Sequence, residues 1–239
     1  MALADAQTLA IRKLLSRAAY DSTISPGPPL PKSHPSPSLL AKLHLECAFL
    51  YSSSRTLAKT PSEEVNGELR KYLKDEAGFH GALGRKWLGV DCGENGGTEK
   101  GGDAVAWTAW AKKELEELKR SKGIGISRAE KEKKEQRKDK FADELESTTV
   151  FWKHYTQVND SLHFQTVPPQ SALQGRIPEG RLAVAVKPYD LPMPMFGPGS
   201  VEYTGKEVEA LELELGQQKD ENVPSPRAGG SYAGAGSYF

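Results

Sequence analysis

The 239-residue chain carries 32 Lys and Arg against 32 Asp and Glu, so its formal net charge is zero and a uniformly basic, duplex-coating protein is excluded. Only 37% of its residues are hydrophobic and 27% are charged, so a core at this length requires the apolar residues to be gathered into stripes. No apolar run approaches the ~18 residues of a membrane span and no basic start leads into an apolar block, which predicts a cytosolic protein.

Residues 2–22 are rich in Ala and Leu and lack Gly and Pro, which predicts a helix. Leu3, Ala6, Ala10 and Leu14 form one stripe, widened by Ile11, Leu15 and Ala18, and that stripe needs a partner. The segment SPGPPLPKSHPSP, Ser25 to Pro37, reads as a loop because proline lacks the amide hydrogen a helix uses. From Ser38 onward Leu40, Leu43, Cys47, Leu50, Ser54 and Leu57 recur at three- and four-residue spacing, which predicts a second helix and a buried face. The two helices read as an antiparallel hairpin.

Thr60 as N-cap and Pro61 at the first helical position, with Glu63 and Glu64 near the positive end, open a third helix. Its face is Val65, Leu69, Leu73, Ala77, His80, Leu83 and Trp87, and it is predicted to run to Trp87. Residues 91–102, DCGENGGTEKGG, read as a loop by composition. A fourth helix starts near Asp103, presents Ala104, Trp107, Ala111, Leu115 and Leu118, and stops around Gly123. Ser127 with Glu130 forms a capping box for a fifth helix, charged over 128–140 and then apolar at Phe141, Leu145, Thr148, Trp152, Tyr155, Asn159 and Leu162. Its first half should project into solvent and its second half pack. Val167-Pro168-Pro169 is the predicted end, because the residue before a proline is pushed out of the helical region. The chain then reads as proline-punctuated and extended to Ser200, with one β-compatible run from Leu182 to Lys187. Residues 201–239, acidic and then Gly/Ser-rich, read as a disordered tail. The expectation is an all-α fold.

Candidate sites are few. The glycine-rich loop lacks phosphate-loop spacing, since Lys100 is preceded by Glu99 and followed by Gly101. Read as a calcium loop from Asp91, it places Gly102 where a bidentate Glu is required. His34, His44, His80, His154 and His163 are scattered singly, and no metal or cofactor is predicted. Cys47 and Cys92 make neither a disulfide framework nor a zinc set. His44 stands three residues before Cys47, but nothing in the sequence supplies an orienting third group or an oxyanion hole. Asn159-Asp160-Ser161 matches a glycosylation sequon that a cytosolic chain does not use. Between Lys112 and Lys140, twelve basic residues are interleaved with seven acidic ones. Binding of RNA or an anionic membrane through residues 112–140 is the alternative reading. Pairs such as Glu130 with Lys134 instead suit a solvated helix face, and no aromatic residue interleaves the run to stack on bases.

Residues 101–200 carry a resemblance. GGDAVAWTAWAKKEL, a charged helix, KHYTQVNDSLHFQTVPP and GRLAVAVKPYDLPMP follow one another as at the end of the BRO domain family, the Alix-like proteins. Asn159, Asp160 and Leu162, followed by Val167 and Pro168, are its most specific part. Upstream, KYLKDEAGFHGALGRKWLGVD and the later KEKKEQRKDKF resemble the PalC-type branch, fungal pH-response regulators, and the first two helices resemble the family's preceding hairpin.

The resemblance implies residues 1–200 as the C-terminal part of a BRO-type domain, a curved array of antiparallel helical hairpins with a tetratricopeptide-like core. The family domain is longer at its N-terminus. It implies a non-enzymatic adaptor that binds the C-terminal helix of an ESCRT-III subunit and components of a pH-signalling complex. Recruitment to endosomal or cortical membrane would run through those partners, with no nucleic acid involved. Leu3, with Gln7 and Ala10 beside it, corresponds to the family's partner-binding patch. His163 stands where Alix-like members have tyrosine, so tyrosine-dependent regulation is not implied there.

Overall fold

A computed structural model describes residues 1–20, 27–58, 67–120, 128–188, 190, 197 and 200–220. Every regular element among them is helical: α1 (Ala2–Tyr20), α2 (Pro37–Leu57), α3 (Gly67–Asn95), α4 (Gly101–Arg120), α5 (Arg128–Val158), α6 (Gln170–Gln174) and α7 (Val201–Asp220). A 3-10 turn (Thr98–Lys100) precedes α4 and a π-turn (Asn159–His163) continues α5. The fold is all-α. It divides into two compact units, Met1–Ala185 and Val186–Phe239.

In the first unit α1 to α5 pack in chain order, each antiparallel to the one before. Met1, just before α1, and Gln7 within it meet Ser54 and Leu43 of α2. Tyr51 and His44 of α2 meet Tyr72 and His80 of α3. Arg85 of α3 pairs with Glu114 of α4, and Lys112 of α4 lies over Trp152 of α5. The last helix also runs parallel beside α3, where Phe79 meets Phe141 and Trp87 meets Phe151. The main core gathers Leu40, Leu43, Leu73, Trp87, Val90, Phe151 and Tyr155. A second cluster joins Phe79, Leu83, Leu115 and Phe141, and a third seats Leu173 of α6 against Trp107 and Trp110. Burying each large side chain contributes about 1.5–3 kcal/mol, so the stripes at 40–47, 73–90 and 141–155 carry the stability.

Several boundaries differ from expectation. The third helix does not stop at Trp87 but continues through DCGEN to Asn95, and α4 begins at Gly101 rather than near Asp103, so most of the expected loop is helical. The glycines there are contacts, not breaks: a Cβ on Gly93 would run into the Tyr155 ring, and one on Gly102 into the Thr166 carbonyl. The fifth helix ends at His163, before Val167-Pro168-Pro169, because Phe164 adopts a left-handed φ of 49° and its N–H returns to the Asn159 carbonyl. Leu162 is therefore outside the packed stripe. Leu57 is 75% exposed at the end of α2 and Leu69 is also exposed at the start of α3.

No strand forms over Leu182–Lys187; the Arg181 and Ala183 N–H groups instead donate to the Lys42 carbonyl and Gln7 Oε1. Residues 201–220 of the second unit, expected to be disordered, form α7, and Ser200 Oγ accepts from the Tyr203 N–H at its start. The predicted caps at Thr60-Pro61 and Ser127, the stop near Gly123 and the last sixteen residues lie outside the described residues.

Candidate functional site

The helix at the end of the array, α1, has two unlike faces. Among its described side chains the inner face buries two apolar residues, Ala4 and Ile11, with Leu15 partly buried against the same core, and it is otherwise attached through polar groups. Gln7 is 4% exposed, donates to the Leu43 and Arg181 carbonyls at 3.3 and 2.8 Å, and accepts from the Ala183 N–H at 2.9 Å. Asp5 accepts from the Tyr51 hydroxyl at 2.7 Å, and Thr8 Oγ1 lies 3.3 Å from both Cys47 Sγ and His80 Nε2. A helix held this way turns a neighbouring face outward. That face is Leu3 (41% exposed), Ala6, Ala10 and Leu14, with Ala10 half-buried.

This is a correction and a finding together. The stripe Leu3-Ala6-Ala10-Leu14 was expected to need a partner, with Ile11, Leu15 and Ala18 widening it; burial falls on its Ile11 edge, where Leu15 is partly buried, and on Ala4 and Gln7, about a quarter-turn from the central row. Of the three expected partner-binding residues, Leu3 and Ala10 lie on the outward row. Gln7 sits inside with its amide occupied, so its role is to fasten α1. The polar spacing of Gln7 and Thr8 gave no sign of this, because the Leu43 and Arg181 carbonyls that Gln7 reaches, and the Cys47 thiol and His80 ring beside Thr8, come from distant segments.

A second concavity, an open groove of about 700 Å³, lies between α2, α3 and α4. Its apolar floor includes Leu45, Ala48 and Leu118. Arg85 lines it, paired with Glu114 at 2.7 Å and stacked 4.3 Å over Trp110. Burial lowers the Arg85 pKa and raises that of Glu114, so each is held charged mainly by the other.

The remaining sequence candidates lie in the first unit. Asn159 is buried and clasps Gln165, donating to its carbonyl and accepting from its N–H, which fixes the turn after α5. Asp160, Leu162 and Val167 are exposed, and Pro168 is half-buried. Cys47 is no activated nucleophile: burial pushes its thiol up to about 11, and His44 Nδ1 is taken by His80. Among the described residues no group of three or more His, Cys, Asp and Glu is placed to hold a metal ion. In the 112–140 run, Lys112 lies over Trp152, Arg120 pairs with Glu116, Arg137 lies over Tyr72, and Lys140 pairs with Glu76. Those four cations are engaged within the fold. No described helix is long and apolar enough to cross a membrane.

The chain is similar to a protein named pH-response regulator protein palC from Cryptococcus neoformans var. neoformans serotype D (strain B-3501A). The two are 37% identical over 277 aligned positions, covering 99% of this chain and 54% of that protein. The chain thus spans about half the length of the curated relative it matches. No family model and no solved structure matches.

Proposed function

We propose that this chain is a PalC-like, non-enzymatic adaptor of ambient-pH signalling, built on the helical core of a BRO-type domain. Its partner is the amphipathic C-terminal helix of an ESCRT-III subunit, which lies along the outward row of α1. The observation that carries the reading is the similarity to a pH-response regulator along nearly the whole chain. The structure lends support at one place: Leu3 and Leu14, two turns of small residues between them, offer apolar anchor contacts with room for a second helix to approach. Docking there would bring the chain to endosomal or cortical membrane through its partner, together with other components of the pH-signalling complex.

The test is fluorescence anisotropy with a labelled C-terminal ESCRT-III helix. Saturable binding is expected, weakened at least about tenfold by Leu3→Asp, roughly 1.4 kcal/mol, with helicity unchanged. Ala48→Arg, in the groove between α2, α3 and α4, should leave it intact. Loss of binding with Ala48→Arg but not with Leu3→Asp would move the site to that groove, and no saturable binding would refute the partner.

A further inference from the structure

The adaptor reading makes no use of the two histidines sealed beneath α1. His44 on α2 and His80 on α3 approach with Nδ1 to Nδ1 at 2.9 Å, and both are buried, 3% and 2% exposed. One of these nitrogens donates and the other accepts. His80 Nε2 is 3.3 Å from Thr8 Oγ1 and 3.8 Å from Glu76 Oε2, so a proton on it is satisfied there. That tautomer leaves His80 Nδ1 as acceptor and His44 Nδ1–H as donor. His44 Nε2 is then a bare lone pair, and the structure gives it no partner.

The arrangement has no place for another proton. On His44 Nε2 it would make a buried cation without an acceptor; on His80 Nδ1 it would set two N–H groups against each other. The groups around the pair do not help. From α1 come Thr8 and, through Tyr51, Asp5; from α2, Cys47 and Tyr51, whose ring stacks on His80. From α3 come Glu76, Tyr72 and Lys86, and from α5 Lys140 and Glu144. Lys86 pairs with Glu144 at 2.8 Å and Lys140 with Glu76 at 3.2 Å, so the carboxylates that could neutralise an imidazolium are already engaged by lysines. Burial first, and then the positive charges of Lys86 and Lys140, push His44 down to about 3. Burial also pushes His80 down to about 2.

We propose that the His44–His80 pair is a proton-sensitive latch: while both rings are neutral, it holds α1 on α2 and α3 through Thr8 and Cys47, and acidification favours a locally opened form in which α1 has let go. The opening falls on α1 because, among its described side chains, it gives the apolar core only Ala4, Ile11 and the partly buried Leu15, whereas α2, α3 and α5 supply the core's Leu40, Leu43, Leu73, Trp87, Phe151 and Tyr155. In the closed form the imidazole pKa values are depressed below the ordinary value of about 6.5. The closed form is therefore fully favoured above that pH and loses ground as pH falls below it, because only the open form takes up the proton. Between pH 7.5 and 5.5 the closed-to-open ratio should fall about tenfold if opening frees one histidine and about a hundredfold if it frees both.

Native-state hydrogen exchange of the full chain at pH 7.5 and 5.5, corrected for intrinsic exchange, tests this independently of any partner. The expected result is a loss of protection in α1 of about ten- to a hundredfold relative to α4. Equal changes in the two helices, or an α1 whose protection does not move, would overturn the latch. The double variant His44→Gln/His80→Gln, which leaves no titrating ring at the pair, should abolish the pH dependence in α1. If that variant fails to fold, the wild-type comparison decides alone; if it folds and keeps the full pH dependence, the proposal is wrong.

Discussion

The first helix of the array and its middle are held by different physics. From α2 to α5 the contacts are apolar and close, with Leu40, Trp87, Val90 and Phe151 buried together and glycines such as Gly93 letting rings lie against backbone. At α1 a small apolar contact through Ala4, Ile11 and Leu15 is joined by hydrogen bonds spread over Gln7, Asp5 and Thr8, reaching both α2 and the extended segment near Arg181. Apolar burial is not directional and tolerates small shifts; hydrogen bonds fix register but contribute only about 0.5–1.5 kcal/mol each. A helix attached by the second kind is positioned accurately and released easily, while the middle stays folded.

The contrast can be broken most severely from the middle. Leu43→Asp puts an unpaired charge at a site 2% exposed, a penalty of several kcal/mol, on the scale of a domain's whole stability. It should abolish the cooperative thermal transition, and an unchanged melt would show that the α2 stripe is not core. Gly93→Val is the next largest: the Tyr155 ring must leave α3 and its hydroxyl must leave Glu94, a loss of about 3 kcal/mol visible in urea unfolding. Stability equal to wild type would mean that the extension of α3 beyond Trp87 does not pack as described.

Gln7→Ala sharpens the comparison from the other side. Removing three hydrogen bonds should cost about 2 kcal/mol, and the loss should appear as faster exchange of α1 amides with the α3 and α4 amides little changed. A uniform loss across all helices would mean that α1 belongs to the same cooperative unit as the core.

How much of this was legible follows the same division. Where apolar residues recur at helical spacing, as in 40–47, 73–87 and 141–159, the sequence predicts both the helix and its buried side, because periodicity is a local signal. Glycine carries no such signal: Gly93, Gly101 and Gly102 look alike whether they open a loop or let a side chain approach, and only the partner at Tyr155, His163 or Thr166 distinguishes them. On α1 the apolar row was visible but its direction was not, since the polar residues that claim the inner face find their partners 36 to 176 positions away. The histidine pair joins residues 36 apart and reads in sequence as two isolated rings. The acidic stretch that forms α7 was taken for its charge, although its Glu, Leu and Lys content favours a helix.

The most direct measurement is differential hydrogen exchange of the chain with and without a saturating C-terminal ESCRT-III helix at pH 7.5. The account predicts new protection confined to α1 and the turns of α2 beside it, with α3 to α5 unchanged. Protection centred on Leu45, Gly78 and Leu118, or none anywhere, would contradict the claim that the outward row of α1 is what this protein offers its partner.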